Sequence, residues 1–287
     1  MPKWLVSVGR AFYAVGLISI GLEHFFFTNF IPVILPEFPA WIPLRTLWVF
    51  AVGAALIGSG ICILFDWKGR KVAAWTGAML VILVLIAHLP NQLTGAFAAV
   101  LGAWTNVFKE LTLAGGAWIA ALSFAEGRPE LPKWLERVLP LGRYFFAITL
   151  IVFGIDHFLY PKFVASLVPA WIGAQMFWTY FAAVALIAGG LGIMVKRVAR
   201  LASLLVGVMI FLWLIMLHIP RAIADPYTNV GNEWTSVFEA LAFSGMAFML
   251  ATLSGASMNA GIDTRDAAAG MSASGPSDSK DSTLSKR

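Results

Sequence analysis

The chain has 287 residues, of which 60% are hydrophobic and only 12% are charged. Soluble domains carry roughly 25% charged residues, so a mean hydropathy of +0.82 excludes an ordinary soluble globule and indicates a polytopic membrane protein. The net charge of +5 does not indicate nucleic-acid binding, because the basic residues are predicted to lie in loops on one side of the membrane. The single cysteine, Cys62, excludes an internal disulfide, a CxxC redox pair and a Cys-rich metal site.

In chain order, the predicted elements are apolar stretches long enough to span the membrane, which takes about 20 residues for a hydrocarbon core of ~30 Å. There are eight: 6–27, 44–65, 72–89, 104–124, 143–160, 176–195, 199–219 and 234–254. The first follows Lys3 and Arg10 as in a signal peptide, but it has no small-residue cleavage site and is interpreted as a retained helix. Residues 255–287, rich in Ser, Gly, Ala and Asp, are predicted to form a disordered tail.

The positions of Lys and Arg predict the orientation of the spans. Only Arg45, Lys162 and Arg221 lie in the odd-numbered connections. Twelve others lie at the N-terminal side or in the even-numbered connections: Lys3, Arg10, Lys68, Arg70, Lys71, Arg128, Lys133, Arg137, Arg143, Lys196, Arg197 and Arg200. Because Lys and Arg are enriched in cytoplasmic loops, we expect a multi-pass protein of the inner (plasma) membrane with both termini in the cytoplasm.

The sequence contains an internal duplication. The motifs Gly9-Arg10 and Gly21-Leu22-Glu23-His24-Phe25 recur 133 residues later as Gly142-Arg143 and Gly154-Ile155-Asp156-His157-Phe158. After a loop that is three residues shorter in the second copy, the offset is 130. At that offset the matches include Pro39-Ala40-Trp41-Ile42 with Pro169-Ala170-Trp171-Ile172, His88-Leu89-Pro90 with His218-Ile219-Pro220, and Trp104-Thr105 with Trp234-Thr235.

The duplication divides the chain into a first four-helix unit (1–124), a cytoplasmic linker (125–141) and a second four-helix unit (142–254), followed by the tail. Each unit contains an even number of spans, so both enter the membrane in the same direction. The predicted fold is therefore an all-α integral membrane protein with eight transmembrane helices arranged as two parallel four-helix repeats.

Each copy resembles the DoxX family of four-helix membrane proteins. The resemblance depends on a Gly-Arg pair, a Gly-Xaa-Xaa-His-Phe motif about eleven residues later, a Pro-containing outer loop and three further helices. The resemblance covers roughly residues 8–254 in two copies, as in a tandem duplication of the family's unit. It implies a membrane subunit associated with redox chemistry. Relatives take part in thiosulfate oxidation coupled to quinone, and in thiol-stress complexes with soluble partners.

All four histidines occupy matched positions: His24 with His157, and His88 with His218. At 1.5 Å per residue, each is predicted to lie within about 5–8 Å of the outer hydrocarbon boundary. Their common depth predicts that His24 approaches His88 and that His157 approaches His218. A matched acid, Glu23 or Asp156, precedes one histidine of each pair, and the acid is expected to orient a ring or to face a neighbouring helix.

Two histidines and one carboxylate per unit match the ligand types of a transition-metal site, and an imidazole can equally hydrogen-bond a quinone carbonyl or transfer protons. Haem ligation by two histidines ranks behind both. The alternative is that histidines at helix ends only contact water or a loop carbonyl. The candidate catalytic residues are Glu23, His24, Asp156, His157 and Glu239. The candidate cofactor-binding residues are His88, His218, Trp104 and Trp234. The candidate metal ligands are His24, His88, His157 and His218.

The two copies diverge where Lys109 aligns with Glu239 and Glu110 aligns with Ala240. If the units pack about an axis normal to the membrane, Lys109 and Glu239 lie at equal depth and can form an ion pair. The alternative is that Lys109 extends to the interface or pairs with Glu110, which leaves Glu239 as a proton acceptor. Most of the twelve tryptophans are interpreted as an aromatic belt, an interpretation that suits Trp104 and Trp234 best.

The predicted function is a subunit that supports electron transfer through a quinone or a transition metal at a His/acid site near the outer face. The DoxX resemblance extends this to quinone-linked oxidation of a small sulfur compound together with a soluble redox partner. Two alternatives stay open: a small-molecule or proton-coupled transporter, and a non-catalytic assembly subunit. Bound cofactor would distinguish the first function, and solute flux the second.

Overall fold

The computed structural model describes residues 3–36, 42–124 and 131–273, with side chains described from Trp4 to Ser254. This part is helical throughout its regular structure and contains no strand. The long helices are α1 (Lys3–Phe27), α2 (Arg45–Leu64), α3 (Gly69–Leu83), α4 (Thr105–Ser123), α5 (Gly142–Leu159), α6 (Gln175–Met194), α7 (Ala199–Trp213) and α8 (Thr228–Ala273). The regular part of α8 follows Gly231, because Asn229, Val230 and Gly231 have left-handed backbone angles.

Seven helical segments of the described chain are long and apolar enough to cross a membrane. They are Trp4–Phe27, Arg45–Leu64, Gly69–Thr94, Lys133–Leu159, Gln175–Met194, Ala199–Ala224 and Thr228–Ser254. The predicted stretch 104–124 does form a helix, the 19-residue α4, which carries Lys109 and Glu110 and is not among these seven. Helices of this number and length define a multi-pass membrane protein.

The helices α3 and α7 each continue through a π turn into a short further helix. The π turns cover Val84–His88 and Leu214–His218, and each ends on a histidine. The N–H of the next residue bonds to the carbonyl five residues earlier, rather than four. Pro90 and Pro220 explain the wider turn, because a proline has no N–H to donate and its ring clashes with the carbonyl four residues earlier.

The same kinds of helix contact recur in the two halves. Within each half the first two helices pack together, as do the last two: α1 with α2, α3 with α4, α5 with α6, and α7 with α8. Between the halves, α4 packs on α5 and α8 packs on α1, while α4 and α8 also contact each other. Each half therefore contributes its fourth helix to a contact with the first helix of the other half.

Glycines permit the contacts between halves. A Cβ on Gly9 in α1 would lie 2.6 Å from the carbonyl oxygen of Gly245 in α8. At the matched position, a Cβ on Gly142 in α5 would lie 2.5 Å from the carbonyl oxygen of Gly115 in α4. The glycine of each Gly-Arg pair is thus where a first helix meets a fourth helix backbone to backbone.

The glycines three residues before His24 and His157 permit close helix contacts within each half. A Cβ on Gly21 would lie 2.8 Å from the Gly53 carbonyl oxygen, and one on Gly154 would lie 2.8 Å from the Ala183 carbonyl oxygen. These positions therefore allow close approach of a neighbouring helix. The neighbour is the second helix of the same half, α2 or α6.

The backbone differs from the sequence-based expectation at the C-terminal end. The backbone of α8 is helical as far as Ala273, whereas the sequence predicts disorder from residue 255. Alanine has the highest helix propensity, and Ala267, Ala268 and Ala269 lie in this segment. Residues 274–287 of the predicted tail, residues 39–41 of the repeated Pro-Ala-Trp-Ile motif and residues 125–130 of the linker lie outside the described residues.

Candidate functional site

The second half contains a cavity of about 700 Å³. It lies among α5, α6, α7 and α8 and extends to α4 of the first half. Most of its wall is apolar and aromatic, with Phe153, Trp178, Phe181, Trp213 and Phe243 among the lining residues. We call this space the main cavity. Its volume is within the range of small-molecule sites, roughly 300–1,000 Å³.

Five acidic or basic side chains lie in the wall of the main cavity: Lys109, Asp156, His157, His218 and Glu239. They come from four helical segments, one in the first half of the chain and three in the second. Four of the five are predicted site residues, and Lys109 is the residue whose pairing the sequence left open. The structure therefore brings the second-half histidines and their acid to one cavity.

Lys109 and Glu239 form an ion pair across the contact between α4 and α8. Lys109 Nζ lies 2.7 Å from Glu239 Oε2. The side chain of Glu239 is 3% exposed and that of Lys109 is 18% exposed. The prediction that these two residues face each other is confirmed, and the alternative pairing of Lys109 with Glu110 is not the one observed.

Several buried polar atoms at the main cavity have no hydrogen-bonding partner among the described residues. These atoms are Asp156 Oδ1, His218 Nδ1 and Glu239 Oε1. His157 is oriented by its own helix, since its Nδ1 lies 2.7 Å from the carbonyl oxygen of Phe153. A carbonyl can only accept, so Nδ1 carries the proton in this contact. An unpaired buried polar atom costs about 1–3 kcal/mol, so the cavity wall favours a ligand that supplies partners.

The matched histidines of the first half have different surroundings. His24 Nδ1 lies 2.9 Å from the Ile20 carbonyl oxygen, the same contact as His157 makes. His88 Nε2 lies 3.2 Å from Glu110 Oε2, and the side chains of His88 and Glu110 are 4% and 0% exposed. In the second half, Ala240 occupies the position of Glu110, so His218 has no such neighbour.

The segment after α1 covers the first-half histidines. Phe30, Ile31, Val33 and Ile34 are all buried, and the edge of the Phe30 ring meets the His24 ring with centroids 6.4 Å apart. The His88 ring hydrogen-bonds to the backbone of Ile34 and of Val33. The first-half pair is thus enclosed by the protein's own chain, whereas the second-half pair lines a cavity.

Glu23 contacts the last long helix rather than a histidine. Thr235 Oγ1 donates to the Glu23 carboxylate, with distances of 3.1 Å to Oε1 and 3.0 Å to Oε2. Asp156, the matched acid, does not have this bond, because Thr105 donates instead to the Gly102 carbonyl oxygen at 2.6 Å. Asp is one methylene shorter than Glu, and Asp156 Oδ1, at the main cavity, has no partner among the described residues.

The two candidate tryptophans lie apart from the histidines. Trp234 stacks on Phe238 with ring centroids 6.0 Å apart, and both line a smaller cavity of about 430 Å³ that also contains Glu23. Trp104 lines neither cavity, and its indole N–H donates to the Ala98 carbonyl oxygen at 2.9 Å. Trp104 is therefore not brought to the site at which the sequence placed it.

The metal interpretation of His24, His88, His157 and His218 lacks a complete ligand set. Among the described residues, no group of three or more His, Cys, Asp or Glu side chains is placed to hold a metal ion. In the first half, His88 faces Glu110 and the backbone of Val33 and Ile34. This contact with Glu110 was missed from the sequence, although the mismatch of Glu110 with Ala240 was its visible signal.

The fold and the site together define a multi-pass helical membrane protein with an apolar cavity and a converging set of ionisable side chains. A family model described as Domain of unknown function (DUF8561) matches residues 146–237. The match lies in the second half and includes Asp156, His157 and His218. Neither the curated proteins nor the solved structures contain a significant match.

Proposed function

We propose that the protein is a quinone-binding membrane subunit that supports electron transfer, with the quinone headgroup in the main cavity. The observation that carries the proposal is the cavity itself: an apolar, aromatic space within membrane-spanning helices, where His157, His218 and Asp156 meet the Lys109–Glu239 pair. An apolar pocket with a few converging polar groups is the usual form of a small-molecule site.

The wall residues suit a quinone headgroup by their chemistry. A quinone ring is flat and apolar, and its two carbonyl oxygens only accept hydrogen bonds. Trp178 and Trp213 can contact the ring faces, while His218 can donate to one carbonyl. When bound, the quinone supplies two-electron, two-proton redox chemistry. Asp156 and His157 are placed to hold or move protons at the ring oxygens.

The proposal includes a partner, because the chain itself carries no redox pair of cysteines. The DoxX resemblance implies a soluble redox partner and a small sulfur compound as the electron source. It also implies an inner-membrane location. These parts of the proposal depend on the resemblance, whereas the quinone site depends on the geometry of the main cavity.

The proposed architecture has eight spans in two parallel four-helix units, with both termini in the cytoplasm. The recurrence of helix contacts in the two halves supports the two units. The placement of α4 between α3 and α5 supports an eighth span, because α4 packs along both of these membrane-spanning helices. The concentration of Lys and Arg in the even-numbered connections supports the orientation.

The test measures binding of decylubiquinone to the purified protein in lipid nanodiscs. Quenching of the tryptophan fluorescence reports the binding. We expect saturable quenching, since Trp178 and Trp213 lie in the cavity wall. His218→Leu removes the donor and should weaken binding about tenfold, the effect of losing roughly 1.4 kcal/mol of hydrogen bonding. His88→Leu is the matched control at the equivalent position of the first half, and it should bind like the parent protein.

Absence of saturable quenching in the parent protein, or equal losses in the two variants, would reject the quinone site. Uptake of a solute into proteoliposomes under the same conditions would instead favour the transporter alternative. Thermal unfolding of both variants, compared with the parent, shows whether either result comes from misfolding.

A further inference from the structure

The position of the main cavity in the second half corresponds to a filled position in the first half. Five residues that line the main cavity, Leu150, Phe153, Leu186, Ile210 and Phe243, have matched residues in the first half. The matched residues are Leu17, Ile20, Leu56, Leu80 and Leu113, and each of them is 0% exposed. They belong to the buried hydrophobic cluster that contains Ile31, Val33 and Ile34. Leu150, Leu186 and Ile210 belong to the same cluster, with exposures of 3%, 3% and 6%.

Residues 30–34 fill the first-half position, and we call them the plug segment. It contributes the apolar side chains of Phe30, Ile31, Val33 and Ile34, all of which are buried. Its backbone hydrogen-bonds to the ring of His88, and the ring of Phe30 contacts His24. The plug segment thus contacts both first-half histidines: an apolar ring contacts His24, and backbone groups hydrogen-bond to His88.

The second half has no equivalent of the plug segment, for two reasons visible in its sequence. The corresponding loop is three residues shorter, which reduces its reach toward the core. It also forms the short helix Pro161–Leu167, on which Lys162 and Ser166 are exposed. Only the apolar side of this helix, including Phe163, Val164 and Leu167, reaches the wall of the main cavity.

We infer that the plug segment occupies in the first half the position that a ligand takes in the second, so that each chain binds one ligand, an apolar molecule whose carbonyl oxygen meets His218. This inference rests on the proposed function for the identity of the ligand as a quinone. The chemistry follows from the matched positions: the His88 ring hydrogen-bonds to the backbone of the plug segment in the first half, and His218 Nδ1 has no partner among the described residues in the second. The other ring nitrogen of His88, Nε2, has no hydrogen-bonding partner either and lies 3.2 Å from Glu110 Oε2.

The divergence at Glu110 and Ala240 agrees with this assignment. Glu110 fills the space beside His88 and is fully buried. Ala240 leaves the corresponding space at His218 to the main cavity, of which Ala240 is a lining residue. The two matched positions thus differ: the first is enclosed by the chain, and the second lines the main cavity.

A labelling experiment tests the inference without assuming the ligand. In a Cys62→Ala background, His218→Cys and His88→Cys introduce single thiols at the matched positions, and each protein in nanodiscs is treated with N-ethylmaleimide. We expect the labelling rate of His88→Cys to be at most about a tenth of that of His218→Cys, because a thiol enclosed in the core reacts only after local opening. Equal rates would overturn the inference.

Unplugging variants test the role of the segment itself. The double variant Ile31→Ala, Ile34→Ala should raise the labelling rate of His88→Cys and leave that of His218→Cys unchanged. The single variant Ile34→Ala should preserve the fold and raise the labelling rate of His88→Cys by a smaller factor. A rate at His88→Cys that stays unchanged in Ile34→Ala and in the double variant would show that the segment does not block the position. Equal increases at both positions in both variants would also overturn the inference, because the effect would not be local.

Protection by the quinone separates this inference from the proposed function. Decylubiquinone should slow labelling of His218→Cys and leave His88→Cys unaffected, with one quinone bound per parent chain. Two quinones per chain would overturn the inference. If the two labelling rates differ but quinone protects neither thiol, the difference between the enclosed and the open position stands and the proposed quinone function is rejected.

Discussion

Lys109 and Glu239 are the residues at which divergence between the halves changes the electrostatics of the main cavity. A single charge at the bilayer centre costs roughly 2.5–3.5 kcal/mol on insertion scales, and the cost falls toward the interface. The 2.7 Å contact between Nζ and Oε2 offsets this cost for both groups. Glu239 Oε1 has no partner among the described residues. This carboxylate oxygen can therefore accept a hydrogen bond from a molecule in the main cavity.

We predict that the free energies of unfolding of Lys109→Met and Glu239→Gln are not additive. Each single change leaves one buried polar group without its partner, so the two losses should sum to more than the loss in the double variant. The coupling should be about 0.5–3 kcal/mol. Denaturant unfolding in detergent, followed by circular dichroism, measures it. Additive losses would mean that the contact contributes nothing to stability.

Thr235 and Thr105 are matched residues with different partners, which makes them a second test at this scale. Thr235→Val removes the donor to the buried Glu23 carboxylate and should destabilise the protein by about 1–3 kcal/mol. Thr105→Val removes only a bond to the Gly102 carbonyl oxygen and should cost less. Thermal unfolding of the two variants compares them. Equal losses would show that the Glu23 contact has no special weight.

At the scale of helices, the close contacts between the halves depend on residues without side chains. Gly142 and Gly115 bring the backbones of α5 and α4 together, and Gly9 and Gly245 do the same for α1 and α8. In a bilayer, where helices gain little from further hydrophobic burial, close packing of this kind is a main source of association. The glycine of the Gly-Arg motif is therefore explained by close helix packing.

Gly142→Leu should disrupt the contact between α4 and α5. A Cβ there would lie 2.5 Å from a backbone oxygen, which cannot move as a flexible side chain can, and overpacking of this kind costs about 1–3 kcal/mol. Gly58→Leu is the control, because a Cβ on Gly58 has no atom within 4 Å. Unfolding curves of both variants give the comparison. A stable Gly142→Leu protein would show that α4 and α5 can separate without cost.

On the scale of the whole molecule, the number of spans decides where the linker lies. If α4 crosses the membrane, the linker helix Lys133–Val138 is on the same side as the loop between α2 and α3. If α4 does not cross, the linker is on the opposite side. The contact between Arg70 and Glu136, at 2.7 Å, joins these two regions directly and supports the first arrangement.

Reporter fusions at Lys68, Asn91 and Arg137 measure this topology. Lys68 and Asn91 should report opposite sides, and Arg137 should report the side of Lys68, as expected from the Lys and Arg distribution. A result that places Arg137 with Asn91 would mean seven spans and reject the two parallel four-helix units. A result that places Lys68 with Asn91 would contradict the third span.

Much of the fold could be predicted from the sequence, because the features concerned are local. A helix across a membrane needs a continuous apolar run, and all eight predicted runs are helical in the described chain. The register of the four histidines and the alignment of Lys109 with Glu239 follow from comparing the chain with itself. The π turns at His88 and His218 had a local signal too, in the proline two residues after each histidine.

The contacts that distinguish the two halves were decided by the tertiary structure. Glu23 and Thr235 are 212 residues apart in sequence, and His88 meets residues of both α4 and the plug segment. Such contacts depend on how helices and loops fill space together, which no local pattern encodes. The sequence by itself determined the helical stretches, the internal duplication and the matched histidines. Only packing decided which pair of histidines is enclosed by the chain and which lines a cavity, because burial is a property of everything around a residue.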